Sequence, residues 1–375
     1  MKLKQKCVQF AKWYMENRRR QGQKNGYLNY YKRIIKRHPE LATRAEGEKE
    51  WLAYWRQFDP QLTPLAYRIF SRYIGPDIHI MPMELCINIV EPVLTPYNYR
   101  GFYRNKNSLN LLMPERTTVK TPIRKLSGFY YDHGYYPLVI GDTLVQELLA
   151  PYNKVLYKPA LEDSGRGIQL FVRDGGCFYN KQGEVLNASY LLNSIEDFQI
   201  QECIEQSQFT ASFNQTSVNS FRIMTYRSVV DGEIHVPNLF FKIGGKDQVV
   251  DNAHGGGVMC GVNKNGKLMN YTYNYLGDRF DCCFNIDIKN GDFVVPNFEG
   301  LISFAKDVAG HVLHHHLLSL DIALDINNNP VLIEVNSEAN AGWAYQMSTG
   351  SLFGVHTEDV MDYCYKRFIQ KNIRT

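Results

Sequence analysis

Asp321, Glu334 and Asn336 are the residues of this sequence with the type and spacing to hold a metal ion. Asp321-Ile322-Ala323-Leu324-Asp325 is followed by Asn327-Asn328-Asn329-Pro330 and then by Val331-Leu332-Ile333-Glu334-Val335-Asn336. That order spells two strands joined by a turn, with Asp321 on the first strand and Glu334 and Asn336 on the second. Residues two apart on a strand point to one face, so Glu334 and Asn336 share a side. Hard oxygen ligands converging from adjacent strands suit Mg²⁺ that also holds substrate phosphates. The flanking residues are apolar, and acids half-buried among them are expensive without a cation.

A second element lies upstream. Tyr157-Lys158-Pro159 is followed by Ser164-Gly165-Arg166-Gly167 and by a strand from Ile168. Two glycines at i and i+2 between strands let backbone N–H groups approach a phosphate closely. Lys158, at the end of the preceding strand, adds a point charge to the same anion. The pattern is no P-loop, since GxxxxGK[ST] is absent, and no strand–GxGxxG–helix unit stands out. A Ser/His/Asp triad has no GxSxG to rest on. His311 and His315 lie at i and i+4, but no Glu or Cys nearby completes a helical ligand set. Together with His314 and His316 they read as a packed or solvated helix end. Adjacent Cys282 and Cys283 read as buried small residues.

Together the two elements resemble the ATP-grasp superfamily, in which a lysine–glycine loop–strand unit and a late D…E-x-N hairpin clamp MgATP between two lobes. The 13-residue step from Asp321 to Glu334 fits that pattern. Four ordered motifs resemble more closely the sugar-transfer-associated ATP-grasp branch, which is associated with bacterial surface-polysaccharide clusters. They are Lys158-Pro159 with Ser164-Gly165-Arg166-Gly167, then Ser217-Val218-Asn219-Ser220-Phe221-Arg222-Ile223, then Asp251-Asn252 with Gly255-Gly256-Gly257, and Asp321-Ile322-Ala323. The resemblance covers about residues 95–350.

The resemblance implies an α+β ATP-grasp fold and a set of roles. Lys106, in Arg104-Asn105-Lys106, takes the place of the family's first nucleotide lysine, and Lys158 with Ser164, Gly165, Arg166 and Gly167 meets the phosphates. Gln201, Glu202, Cys203 and Ile204 form the adenine hinge, with Glu205 or Gln208 reaching the ribose. Arg222 and Lys242 face the transferred phosphoryl group. Asp321, Glu334 and Asn336 bind Mg²⁺, and Asp251, Asn252, Gly255, Gly256 and Gly257 form an acceptor or lid loop. Two departures matter. Amino-acid ligases of the superfamily often carry Arg two residues before the metal Asp, where this chain has Ser319, so Arg222 must supply the charge. After Asn336 the run Ser337-Glu338-Ala339-Asn340-Ala341-Gly342-Trp343 lacks their Ser-Pro-Gly turn, which speaks against a small amino-acid acceptor.

The elements that must position these residues follow from periodicity. Residues 1–75 read as a helical region, from Leu3, Cys7, Phe10, Ala11, Tyr14 and Met15 at helical spacing. Asn25-Gly26 breaks the run, and 27–38 and 48–58 resume it. Gly75-Pro76 ends the region, 76–150 reads as a small α/β lobe, and 151–375 as the lobes with the nucleotide and metal site. Strands are expected at 155–157, 168–172, 177–180, 198–204, 220–230, 235–243, 258–262, 268–275, 319–325 and 331–335. Helices are expected at 298–316 and 358–371. An antiparallel-rich sheet with late helices is α+β rather than a βαβ repeat.

Residues 1–37 hold twelve Lys or Arg against Glu16, so a chain of net charge +4 carries +11 there and −7 elsewhere. That basic face suits anionic lipid or a lipid-linked substrate, and nothing global calls for nucleic acid. Eight scattered cysteines, no apolar signal core and no run of 18 apolar residues fit a reducing cytoplasm, with peripheral contact at the inner membrane face. The activity expected is a carboxylate–amine ligase that uses ATP and Mg²⁺ and acts on carboxylate and amine substrates, a glycan or lipid-linked sugar among them. A kinase on the same scaffold and a non-catalytic nucleotide-binding scaffold are the alternatives.

Overall fold

The computed structural model describes residues 2–113, 118–162, 165–245, 256–338 and 341–373. Helices come first: α1 (Lys2–Arg37), α2 (Glu48–Trp55), α3 (Leu65–Ile74), α4 (Met83–Leu85), α5 (Glu91–Leu94), α6 (Tyr97–Arg104) and α7 (Leu109–Leu112). The break expected at Asn25-Gly26 does not occur, because α1 runs straight through it. Glycine inside a helix costs about 1 kcal/mol relative to alanine. Tyr30, Tyr31 and Ile34, buried in the next two turns, offset that cost by packing. Trp51 and Trp55 are wholly buried, and their indole N–H groups donate to the carbonyls of Ile80 and Ile78 at 2.7 and 2.8 Å. Among the described residues no helix is long and apolar enough to cross a membrane.

The next segment builds an antiparallel sheet. It comprises β1 (Ile123–Leu126), β2 (Phe129–Tyr131), β3 (Pro137–Leu138), β4 (Lys154–Pro159), β5 (Gln169–Asp174), β6 (Cys177–Tyr179) and β7 (Phe198–Glu202), in the order β3-β2-β1-β7-β4-β5-β6. Val155, Tyr157, Phe198 and Ile200 alternate onto one face. There they pack with Val145 and Leu149 of α8 (Asp142–Leu149) and Leu191 of α9 (Ala188–Asn193). The division expected at 150 runs through this sheet, because β1 hydrogen-bonds to β7, with Ile123 opposite Ile200. The change to a strand-and-turn pattern from Val155 places a boundary at 150, and strand pairing across it is not visible in local pattern.

A second sheet follows α10 (Gln208–Phe213). Its strands are β8 (Ser220–Arg227), β9 (Ile234–Ile243), β10 (Val258–Val262), β11 (Leu268–Tyr273) and β12 (Arg279–Phe280). A small hairpin, β13 (Cys282–Cys283) and β14 (Ile286–Asp287), and the helix α11 (Phe298–His311) come next. Then β15 (Leu317–Leu324) and β16 (Pro330–Asn336) return to the sheet, giving the order β12-β11-β10-β9-β8-β15-β16. The chain closes with α12 (Gly342–Gln346) and α13 (Thr357–Ile373).

Phe221, Ile223, Phe241, Leu320 and Ile322 pack on α11 on one face of this sheet. On the other, Met224, Tyr226, Phe240 and Tyr273 share a core with Tyr31, Phe70, Met81 and, from α13, Val360 and Met361. The N-terminal helices therefore lie on the second sheet, and the limit expected at 75 falls inside their common core. The amide of Gln346 secures that contact by exchanging hydrogen bonds with the backbone of Met81 at 2.7 and 2.9 Å.

Glu84 sits in this core, 2% exposed, and its carboxylate accepts from the Tyr31 hydroxyl at 3.0 Å. Burial pushes its carboxyl up to about 7, against a smaller pull downward from that hydrogen bond. A raised acid favours the proton in the folded state, so stability falls as pH rises from about 4.3, the unfolded value, to about 7, and is flat above. Glu84→Gln should remove this slope and gain about 3–4 kcal/mol over wild type at pH 8 relative to pH 4. Urea denaturation of both proteins across that range checks it.

Candidate functional site

Strand register aligns the central row of charges. β8 pairs β15 with Arg222 opposite Asp321, and β15 pairs β16 with Asp321 opposite Glu334 and Ser319 opposite Asn336. Opposed residues of paired strands project from the same face, so Arg222, Asp321 and Glu334 form a line across three strands. The register slips between Asp321 and Ile322, where the partners step from Glu334 to Leu332. This bulge places Leu332 and Val335 in the core although they are three apart, and leaves Glu334 and Asn336 half-buried on the other side. On β9, Lys242 is opposite Ser220 and so lies diagonal to Arg222.

Arg222 grips Asp321 with a two-pronged ion pair, Nε to Oδ1 and Nη2 to Oδ2, both 2.7 Å. Lys242 Nζ adds a third contact to Oδ2 at 3.2 Å. Burial alone would raise the Asp321 carboxyl, but Arg222 and then Lys242 outweigh it and hold the group well below the usual carboxylate range. Burial likewise disfavours the Arg222 charge, and Asp321 more than restores it. Ser319, wholly buried, accepts from the Tyr345 hydroxyl at 2.9 Å. Ser319 thus brings no cation to this position, and the guanidinium on the adjoining strand is that of Arg222.

The first sheet contributes Lys158 and the glycine loop. Lys158 on β4 donates to the Gln201 side chain on β7 at 2.5 Å. Gly165 and Gly167 have φ of +73° and +70°, the left-handed region. A Cβ on Gly167 would also stand 2.8 Å from Pro159 Cγ, so the loop closes back on Lys158-Pro159 only with glycine there. Arg166 is exposed and pairs with Glu162 at 3.2 Å. The Glu202 carboxylate accepts from the Lys120 backbone at 3.0 Å. Cys203 and Ile204 are half-buried and Glu205 is exposed; burial pushes the Cys203 thiol up to about 11.

Lys106 connects the two sheets. It opens a short 3₁₀ turn, Lys106–Ser108, whose N-cap is the Asn105 side chain. Its Nζ donates to the Glu162 carbonyl of the glycine-loop segment at 2.7 Å and lies 3.7 Å from Glu334 Oε1. Its own carbonyl accepts from Gln199 of β7 at 2.9 Å. The motif around Ser217-Val218-Asn219 is a brace: the buried Asn219 amide donates to Thr210 and Asn214 carbonyls and accepts from Gly244 N–H at 3.1 Å.

Asp321, Glu334, Asn336, Arg222, Lys242 and Lys106 thus converge, Lys158 and Gln201 lie on the neighbouring sheet, and Gly165 and Gly167 lie in the turn between its strands β4 and β5. Gly256, at φ +87°, and Gly257 lead into β10. Ser164, Asp251, Asn252 and Gly255 lie outside the described residues. His311, His314, His315 and His316 diverge. His314 stacks on Tyr99 at 3.9 Å, His315 is buried, and His316 bonds the Arg227 carbonyl at 2.9 Å. Sequence reasoning missed Arg100 and Arg104 of α6, which reach the segment after β16. Only the tertiary contact of α6 with β16 marks them.

The donors fit Mg²⁺. Two carboxylates and an amide oxygen, all hard ligands, are carried on adjacent strands by Asp321, Glu334 and Asn336. Arg222, Lys242 and Lys106 set three positive charges against the two carboxylates, a surplus that suits a polyphosphate.

A family model described as sugar-transfer associated ATP-grasp matches residues 137–360, more than half of the chain. No curated protein matches the sequence. Among solved structures the chain is similar to an L-amino acid ligase from Bacillus licheniformis, at 13% identity and TM-score 0.36 over 71% of this chain and 48% of that one. It is also similar to the D-alanine–D-alanine ligase from Bacillus anthracis, at 9% identity and TM-score 0.36 over 72% and 70%. The corresponding ligase from Coxiella burnetii gives 10% identity and TM-score 0.39 over 72% and 60%. The match spans less than half the length of the first of these proteins.

Removing one partner of a buried ion pair strands the other charge. Arg222→Met should lower the unfolding free energy by about 3–5 kcal/mol, and Arg222→Met with Asp321→Leu should recover much of it. Urea denaturation measures both. An equal loss in Lys242→Met would contradict the ranking of the two cations.

Proposed function

Since the chain belongs to the sugar-transfer associated ATP-grasp family, we propose that it is an ATP-dependent carboxylate–amine ligase. The observation that carries this reading is the line Arg222–Asp321–Glu334, joined through Lys106 to the glycine loop. In this reading the adenine lies along Gln201–Glu205, and Lys158, Lys106 and the backbone around Gly165 and Gly167 receive the phosphates. Asp321, Glu334 and Asn336 would hold Mg²⁺, which when bound neutralises phosphate charge and polarises the transferred group.

Arg222 and Lys242 orient the substrate carboxylate. One of its oxygens attacks the γ-phosphorus and ADP departs, giving an acyl-phosphate whose growing charge the two cations stabilise. An amine then attacks the acyl carbon, phosphate leaves, and an amide forms. The segment 251–257 serves as acceptor or lid loop, keeping water from the activated carbonyl. The work is assigned to bacterial cell-surface polysaccharide synthesis in the cytoplasm, with a glycan or lipid-linked sugar as partner. The twelve basic residues of 1–37 suit contact with anionic lipid.

A kinase on this scaffold is the second reading, favoured by Ser319, which brings no cation to the position before Asp321. Product analysis separates the two. With paired carboxylates and amines, the ligase releases one phosphate per ADP and forms an amide, and hydroxylamine in place of the amine yields a hydroxamate. ADP without free phosphate, beside a stable phosphorylated acceptor, would establish the kinase instead.

A further inference from the structure

Just past the metal strand the chain holds a second charged cluster. Arg100 of α6 is 7% exposed and fixed from behind: Nε donates to the Thr95 carbonyl at 2.8 Å, and Nη2 to Thr95 Oγ1 at 3.0 Å and the Glu91 carbonyl at 3.4 Å. These contacts aim its remaining nitrogen, Nη1, at Glu338 Oε1, 3.3 Å away. Arg104, one helical turn on, brings Nη1 to 4.0 Å from Glu338 Oε2. Glu338 itself is half-exposed and its two contacts are long, so a loosely held carboxylate faces a rigid guanidinium. Arg19 of α1 lies within electrostatic reach of the same carboxylate.

Three further observations point to a ligand here. Glu338 is two residues beyond Asn336, so the cluster begins within about 7 Å of chain from the metal strand. The side chains between and before it, Asn336 and Ser337, each carry a buried polar atom without a hydrogen-bond partner, the Asn336 amide nitrogen and the Ser337 hydroxyl. Tyr97, three residues before Arg100 on the same helix face, stands 78% exposed and offers a ring face to an apolar or sugar surface. Behind Arg100, His315 is buried. Burial first, and then the Arg100 charge, push it down to about 4, so it is neutral at physiological pH and adds no competing cation.

We propose that Arg100 and Arg104 form the oxyanion pocket of the second substrate, a sugar carrying a carboxylate or phosphate, and that the Glu338 carboxylate fills this pocket until the substrate arrives. The inference rests on the ligase reading, because it presumes a second substrate beside the metal strand. A guanidinium pair recognises carboxylate and phosphate alike, in a planar fork. Glu338 then acts as an internal competitor: the entering anion displaces it toward solvent, where its charge is readily hydrated. The unpartnered Ser337 hydroxyl and Asn336 amide gain partners on the substrate's hydroxyl groups.

Calorimetric titration of glucose 6-phosphate and of glucuronate tests this, with the nucleotide site filled by a non-hydrolysable MgATP analogue. Glu338→Gln should tighten binding of one or both probes about tenfold, and Arg104→Ala should weaken it about tenfold, each the loss of one charged contact. The MgATP analogue should bind wild type and both variants alike. The probe that responds identifies phosphate or carboxylate as the group recognised. If neither probe binds Glu338→Gln, or if Arg104→Ala in that background changes nothing, the pocket is wrongly assigned. Failure of the analogue to bind would overturn the nucleotide reading separately, and the probe titrations would still decide the pocket.

Discussion

The buried pair between Arg222 and Asp321 is the constraint around which the second sheet is organised. A carboxylate 4% exposed in a strand whose every residue is buried is tolerable only with a matched cation and full hydrogen bonding. Both are provided by register: β8 must align so that Arg222 faces Asp321, and β16 must carry a bulge so that Glu334 faces the same way. A slip of one residue would turn the acid into the apolar layer against α11. The apolar residues on the far side of the sheet therefore fix the electrostatics on the near side.

Lys106 extends this logic between the two sheets. Its ammonium lies between Glu334 and the Glu162 carbonyl, so β16 and the glycine loop are held at a common point. The N-terminal helices share the face of the sheet on which the charged row stands, and α6 brings Arg100 and Arg104 to the end of β16. In the proposed function the nucleotide parts then fall on the two antiparallel sheets and the acceptor side on the helices that precede them. That division is consistent with a scaffold that keeps one chemistry and changes its substrate.

The acids of the charged row and the glycine loop were legible in the sequence because their signals are local, whereas Arg222 and Lys242 came only through the family resemblance. The hairpin turn Asn327-Asn328-Asn329-Pro330, the alternation of β16 and the glycines at 165 and 167 all act over a few residues, and the α+β class and late helices follow from the same periodicities. What local pattern could not carry was pairing at long range. The union of β1–β3 with β4–β7, the packing of α1 and α3 on the second sheet, and the approach of α6 to Glu338 depend on contacts across 70 or more residues. The break expected at Asn25-Gly26 fails for the opposite reason: a local breaker is overridden by tertiary packing of the tyrosines that follow it.

The most direct test of the central claim is thermal stability of the wild-type protein with and without MgATP, beside Lys158→Ala and Glu334→Ala. A ligand at about 100 times its Kd adds roughly 2.7 kcal/mol to the native state, a readily measured rise in Tm. The account predicts a Mg²⁺-dependent rise in wild type that is diminished in both variants. A well-folded wild type with no rise, or a rise that Glu334→Ala leaves untouched, would contradict it.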